Sequence, residues 1–83
     1  MPSINLQIIA PTGVIFKGDC QLVVVPSTDG DIGVMHGHEV IAATLREGQI
    51  LVSDDKDNVV ETFDVTGGFV EVKDADNVLV LVD

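Results

Sequence analysis

Short runs of valine and isoleucine, separated by turn-forming residues roughly every eight to twelve positions, are the feature that most constrains how this chain can fold. The chain holds fifteen Val and seven Ile against six Leu and four Ala. β-Branched side chains are stiff at χ1 and pack well on a pleated surface, so this composition favours strands over helices. Since no segment shows a helical period of useful length, we predict an all-β protein.

The turn signals are clusters of Gly, Pro, Asn and Asp that lie between these runs. Gly18-Asp19 is expected to interrupt the second strand with a tight turn or bulge. Pro26 is expected to end the third strand, because proline cannot donate a hydrogen bond to a ladder. Each sheet needs a second layer to bury its apolar face, so these short strands predict a two-sheet β-sandwich.

Length and charge limit the classes of function. Eighty-three residues make one domain, over residues 1–83. The net charge of −10, with four basic residues, argues against binding to nucleic acid or directly to anionic lipid. No apolar run approaches the ~18–20 residues of a transmembrane helix, and no signal peptide is recognisable. The single cysteine, Cys20, has no partner for a disulfide, which favours a reducing, cytosolic setting.

The stretch from Asp29 to Glu39 is the part of the chain that core-building explains least. It contains three of the eight glycines and both histidines. We interpret it as a shaped loop that is presented to a partner. As an alternative, His36 and His38 with a nearby carboxylate could form a metal site, although His-x-His alone is a weak ligand signal.

A second alternative concerns Lys56, which lies between two aspartates at a predicted hairpin tip. Lipoyl and biotinyl carrier domains are about this size, acidic and all-β, and carry their modified lysine in a hairpin turn. Exposed turns are polar for their own reasons, so a plain surface lysine is the simpler interpretation. Cys20 lies in a strand-like run with no adjacent base, which predicts an inert thiol. We expect no enzymatic activity and no cofactor.

Four segments, in order along the chain, resemble one known family. Residues 6–18 resemble its "x-V-x-P-x-G-x-x-F-x-G" opening, and residues 30–38 its "G-E-x-G-I-x-P-G-H" signature. Residues 66–72 match "x-G-G-F-x-E-V", and residues 77–83 resemble "N-x-V-T-V-L-A-D". With these motifs the chain is similar to the N-terminal β-sandwich domain of the epsilon subunit of bacterial F-type ATP synthases.

The resemblance implies a sandwich of about ten strands that binds the gamma subunit and the ring of c subunits, at the cytoplasmic face of the bacterial inner membrane. It implies a non-catalytic subunit that helps couple proton translocation to ATP synthesis. Carried over by motif, the c-ring interface comprises Asp29, Gly30, Asp31, Ile32 and Gly33. The gamma or rotor interface comprises His38, Ile41, Ala42, Ala43 and Thr44, and the residues that shape the loops are Gly37, Gly67 and Gly68.

The sequence departs from the family pattern in three ways. Asp31 replaces the usual, longer glutamate. His36 stands where the family has proline, and His38-Glu39-Val40 replaces "H-A-P", so the stretch loses two rigid residues and gains titratable groups. The family commonly continues into a C-terminal helical hairpin, which this sequence is expected to lack.

Overall fold

In the computed structural model, residues 2–54 and 58–83 are described, and they form strands and no helix. The nine strands are β1 (Ile4–Ala10), β2 (Gly13–Cys20), β3 (Leu22–Ser27), β4 (Gly30–Val34), β5 (Ile41–Leu45), β6 (Gly48–Ser53), β7 (Val59–Val65), β8 (Gly68–Val72) and β9 (Asn77–Val82). Within those residues, no helix long and apolar enough to cross a membrane is present.

The strands form one continuous, folded-over sheet with two halves. One half has the order β2-β1-β9-β8-β5, and the other consists of β3, β6 and β7 with β4 on the far side of β3. All pairings are antiparallel except that of β1 with β9. Within the described residues β3 and β5 join the halves through one ladder pair, Ser27 with Leu45, and two neighbouring backbone hydrogen bonds. The sheet folds back on itself and brings β2 and β7, its two end strands, into contact. The rings of Phe16 on β2 and Phe63 on β7 meet edge to face, with their centroids 6.0 Å apart.

One core lies between the two halves. It combines inward-facing side chains of β1, β8 and β9 with those of β3 and β6, most of them fully buried. Alternate residues of β1 and β9 are buried in strict succession, as expected for strands with one face on a core. The predicted all-β class and the β-sandwich arrangement are confirmed. Nine strands in the described residues compare with about ten expected.

Two local predictions for the strands were wrong. β2 runs without a break through Gly18-Asp19, and the register shifts instead between Ile8 and Ile9 of β1, opposite the extra residue Ile15 of β2. A β-carbon on Gly18 would lie 3.8 Å from the Phe16 ring, which is ordinary van der Waals contact, so neither space nor backbone conformation requires glycine there. β3 continues past Pro26, whose carbonyl accepts a hydrogen bond from the Arg46 amide at 2.8 Å. A missing N–H therefore does not end this strand.

Gly67 and Gly68 lie at the corner where β7 ends and β8 begins. Gly68 has a φ of +146°, and a β-carbon there would lie 2.1 Å from the carbonyl oxygen of Leu81. A β-carbon on Gly67 would lie 2.8 Å from the carboxylate of Asp83. The close pairing of β8 with β9 at this corner therefore depends on the absence of a side chain at position 68.

The turn between β8 and β9 is held by Asp74. Its carboxylate accepts hydrogen bonds from the amides of Asp76 at 2.8 Å and Asn77 at 3.0 Å, and from the Asn77 side chain. The Asp76 amide, followed by the Asn77 side chain, holds the pKa of Asp74 below its ordinary value. The ionised carboxylate is thus the form that stabilises the turn.

Replacing Gly68 with alanine is expected to destabilise the protein by more than about 3 kcal/mol, because both the backbone conformation and the space exclude a side chain. Gly13 is the matched control, since its φ is +132° but nothing lies within 4 Å of the added carbon. Gly13→Ala should cost about 1 kcal/mol. Urea unfolding measures both, and equal losses would contradict the steric role of Gly68.

Asp74→Ala is expected to lower the unfolding temperature at pH 6 and to have progressively less effect as the pH falls towards 3. The pKa of Asp74 is lower in the folded than in the unfolded chain, so its stabilisation is present above the unfolded pKa and is lost as the carboxylate protonates. Thermal melts of both proteins across this range test it, with Asp74→Asn separating charge from hydrogen bonding. A difference that stays constant with pH would rule out the ionised carboxylate as the cause.

Candidate functional site

The stretch from Asp29 to Glu39 is not a single loop, which corrects the interpretation made from sequence. Gly30–Val34 forms strand β4, which pairs along its whole length with β3. Asp31 lies near one end of this strand, whereas His36 and His38 follow its other end. The residues that the sequence grouped together therefore belong to two separate surfaces.

The first surface is the tip of the β3–β4 hairpin, where Thr28 and Asp29 form the turn. Ser27, which is buried, accepts a hydrogen bond at its hydroxyl from the Asp29 amide at 3.2 Å. Asp31 is exposed, and its carboxylate forms an ion pair with Arg46 at 2.5 Å. Gly30 adopts a φ of +123°, which lets the tight turn enter β4.

Of the predicted c-ring residues, Asp29, Gly30, Asp31 and Gly33 are exposed at or near this tip. Ile32 is different, because it packs against the core. Alternation along β4 explains the difference, since successive side chains of a strand point to opposite faces. The surface available to a partner is therefore polar and acidic.

The second surface is the turn at His36 and Gly37, which contacts the β8–β9 turn. The His36 ring nitrogen Nε2 lies 2.8 Å from a carboxylate oxygen of Asp76. The Gly37 amide donates to the carbonyl of Ala75 at 3.0 Å, and Gly37 has a φ of +85°. These two contacts tie the connection between β4 and β5 to the far turn, which is consistent with the predicted shaping role of Gly37.

The two histidines do not converge on a common point. The His38 ring nitrogen Nδ1 lies 2.8 Å from the backbone carbonyl of Glu39, whereas His36 pairs with Asp76. Among residues 2–54 and 58–83 no cluster of three or more His, Cys, Asp or Glu side chains is arranged to hold a metal ion. The geometry does not support the metal alternative. The carrier alternative rested on Lys56, which lies outside the described residues.

β5 carries the other predicted rotor residues, and its side chains alternate. Ile41 and Ala43 face inwards and pack against the core, whereas Ala42 and Thr44 face outwards and are exposed. Leu45, which ends the strand, is buried. A partner approaching β5 from outside would therefore contact Ala42 and Thr44.

The outward face next to Thr44 carries a continuous line of apolar side chains that the sequence analysis did not identify. Ladder register places Thr44 opposite Phe69, Phe69 opposite Leu81, Leu81 opposite Ile9, and Ile9 opposite Val14. This line of four apolar side chains, from β8, β9, β1 and β2, is here called the outer row together with Thr44 of β5, so that the row crosses all five strands of the larger half. Phe69, Leu81 and Val14 are 40%, 44% and 57% exposed. Contiguous exposed apolar surface of this kind is typical of an interaction site.

The next row of side chains on the same outward face contains both polar and apolar residues. Ladder register aligns Ala42, Glu71, Leu79, Gln7 and Lys17 across the five strands. A polar border beside an apolar line is the usual composition of a protein–protein interface. One feature of the sequence relates to this face: β9 is apolar at every position after Asn77, although one of its two faces lies outside the core.

Cys20 lies at the end of β2 and is buried. Burial, together with the neighbouring charge of Asp19, raises the pKa of its thiol to about 11, against a smaller opposing effect of the Leu22 amide. A thiol with this pKa is protonated at neutral pH and is a poor nucleophile. The geometry agrees with the inert role predicted from sequence.

Comparison with known proteins agrees with the resemblance. The family described as "ATP synthase, Delta/Epsilon chain, beta-sandwich domain" matches residues 3–83. An ATP synthase epsilon chain of Campylobacter fetus is 37% identical over 86 residues, covering 100% of this chain and 63% of the relative. One from Caulobacter vibrioides is 36% identical over 72 residues, covering 87% of this chain and 81% of the relative.

A solved structure has the same fold. A chain of the Euglena gracilis mitochondrial ATP synthase, in a structure of OSCP, F1 and c-ring, superimposes with a TM-score of 0.88 at 22% identity, over 99% of this chain and 51% of that one. The present chain thus spans between about half and four fifths of the length of these proteins. It belongs to the family of the ATP synthase delta/epsilon chain β-sandwich domain.

Proposed function

We propose that this chain is a non-catalytic central-stalk subunit of an F-type ATP synthase that binds the gamma subunit and the c ring. In this role it helps couple proton translocation to ATP synthesis, at the cytoplasmic face of the bacterial inner membrane and without a cofactor. Family membership and relatives that are named ATP synthase epsilon chains support the proposal. The structural observation that carries it is the outer row.

The gamma subunit is assigned to the outer row and the exposed side of β5. Ala42 and Thr44 share this outward face with Phe69 and Leu81. Completing the burial of Phe69 and Leu81 would contribute on the order of 1 kcal/mol each. The free chain gains nothing from leaving these side chains in water, so a permanent partner is the simplest reason for their position.

The c ring is assigned to the tip of the β3–β4 hairpin, comprising Asp29, Gly30, Asp31, Ile32 and Gly33. Its exposed acidic and glycine residues suit contact with polar loops rather than with an apolar surface. The two surfaces adjoin, because the hydroxyl groups of Thr28 and Thr44 lie 2.9 Å apart. The Thr28 amide also donates to the Thr44 carbonyl at 3.0 Å. One small domain can therefore contact both partners at once.

His38 is assigned to the rotor contact at the opposite end of β5, and Gly37 shapes the turn that carries it. His38 is half-buried, and its position follows from the contact of Gly37 with the β8–β9 turn. The net charge of −10 over the whole chain favours partners with basic surfaces and opposes self-association.

The test is co-purification of the tagged chain with the gamma subunit and with the assembled rotor from the same organism. Phe69→Asp and Leu81→Asp should each weaken binding to gamma at least about tenfold, because a charge would be buried in an apolar contact. Recovery of neither gamma nor c subunits by the unmodified chain would refute the proposed function.

Val60→Asp is the matched control. Val60 lies on β7 in the smaller half and is 54% exposed, more than either test residue. The same substitution there should leave gamma binding unchanged. All three variants should keep stabilities within about 0.5–1 kcal/mol of each other, since each position is exposed. Equal losses of binding at Val60 and Leu81 would refute the assignment of gamma to the outer row.

A further inference from the structure

The contacts of Arg46 connect three neighbouring segments at the hairpin end of the molecule. Its guanidinium Nη2 pairs with Asp31 of β4 at 2.5 Å, and its Nη1 donates to the carbonyl of Glu47 at 3.2 Å. Its backbone amide donates to the carbonyl of Pro26 on β3 at 2.8 Å. Asp31 is itself the ladder partner of Pro26. Arg46 is thus fixed at its backbone and reaches across β3 to the acid.

Gly48 keeps this arrangement compact. A β-carbon on Gly48 would lie 2.9 Å from the Pro26 ring and 3.3 Å from Arg46 Nη1. Because any side chain at position 48 would displace the proline or the guanidinium, the glycine allows Arg46 to lie against the sheet. The conformation of the Arg46 side chain therefore depends on Gly48 and Pro26 as well as on the ion pair with Asp31.

A contribution to folding stability does not explain the ion pair between Arg46 and Asp31. The side chains of Arg46 and Asp31 are 46% and 62% exposed, and ion pairs this exposed contribute little to folding. The exposure does leave the pair open to a partner. A guanidinium has five N–H donors in a fixed fork, and the side-chain contacts within the described residues use two of its nitrogens.

Arg46 also changes the charge that the hairpin tip presents. The chain carries 14 acidic and 4 basic residues, and the other basic residues in the described parts of the chain lie elsewhere. Lys17 is on β2, and Lys73 adjoins the turn at the opposite end of β8 from Gly68. At the tip, the guanidinium partly offsets the charge of Asp31 and fixes the direction of its carboxylate.

We propose that Arg46 is a positioning residue for c-ring docking: it orients Asp31, and the partner binds the Asp31–Arg46 pair as one unit. This inference rests on the proposed function and adds to it a residue that the family resemblance did not assign. The Asp31–Arg46 pair fits a polar group of the partner. Such a group can donate a hydrogen bond to the oriented carboxylate without carrying a full positive charge.

The test is a double-mutant cycle on binding of the full chain to a rotor of gamma and c ring, measured by surface binding kinetics. Asp31→Asn and Arg46→Gln should each weaken binding on the order of tenfold. In the Asp31→Asn background, Arg46→Gln should then have an effect of less than about twofold, because the carboxylate that Arg46 positions has been replaced by a neutral amide. Arg46→Lys should recover part of the affinity through charge, and less than all of it because lysine lacks the planar fork.

Lys73→Gln is the control, because it makes the same change in charge away from the hairpin tip, and its effect on rotor binding should be the same with Asp31 and in the Asp31→Asn background. Thermal melts of all variants should coincide, since the pair contributes little to folding. Additive losses of binding in the cycle would show that Arg46 acts independently of Asp31 and would overturn the inference. Absence of rotor binding by the unmodified chain would instead overturn the proposed function on which it rests.

Discussion

The burial of one face of each half of a folded-over sheet against the other is the constraint on which the rest of this structure depends. Within the described residues, β3 and β5 join the halves through one ladder pair, Ser27 with Leu45, and the backbone hydrogen bonds beside it, so side-chain packing supplies most of the contact between them. The inward faces of β1, β8, β9, β3 and β6 supply that packing. Because a chain of this length has one thin core, the opposite face of the larger half has nothing of its own to cover it.

The sequence was sufficient to predict the fold class, the sandwich and most turns, because the strand period and turn residues are local signals. Predictions from sequence were wrong where contacts between distant parts of the chain determine the local structure. Gly18 was expected to interrupt a strand but pairs with Leu6 in the ladder, and Pro26 was expected to end one although its carbonyl accepts a hydrogen bond from Arg46. The glycine-rich region from Asp29 was interpreted as a loop, yet ladder bonds to β3 make residues 30–34 a strand.

The candidate surfaces were only partly predictable for the same reason. Motif matching selected Asp31, His38 and β5 as candidates, since all of them lie within or just after one motif in the sequence. It could not show that Ile41 and Ala43 face the core, or that Asp31 and His38 lie at different ends of the domain. The outer row was not identified because its five members come from five strands and align only through the register of the sheet.

The central claim is that the outward face of the larger half is covered by a protein partner. Hydroxyl-radical footprinting of the chain, free and bound to gamma with the c ring, tests this directly at the level of side chains. Phe69 and Leu81 should be oxidised in the free chain and protected in the complex, while Val59 and Val60, which are 52% and 54% exposed on β7, should react equally in both. Unchanged oxidation of Phe69 and Leu81 in a complex that has formed would contradict the account.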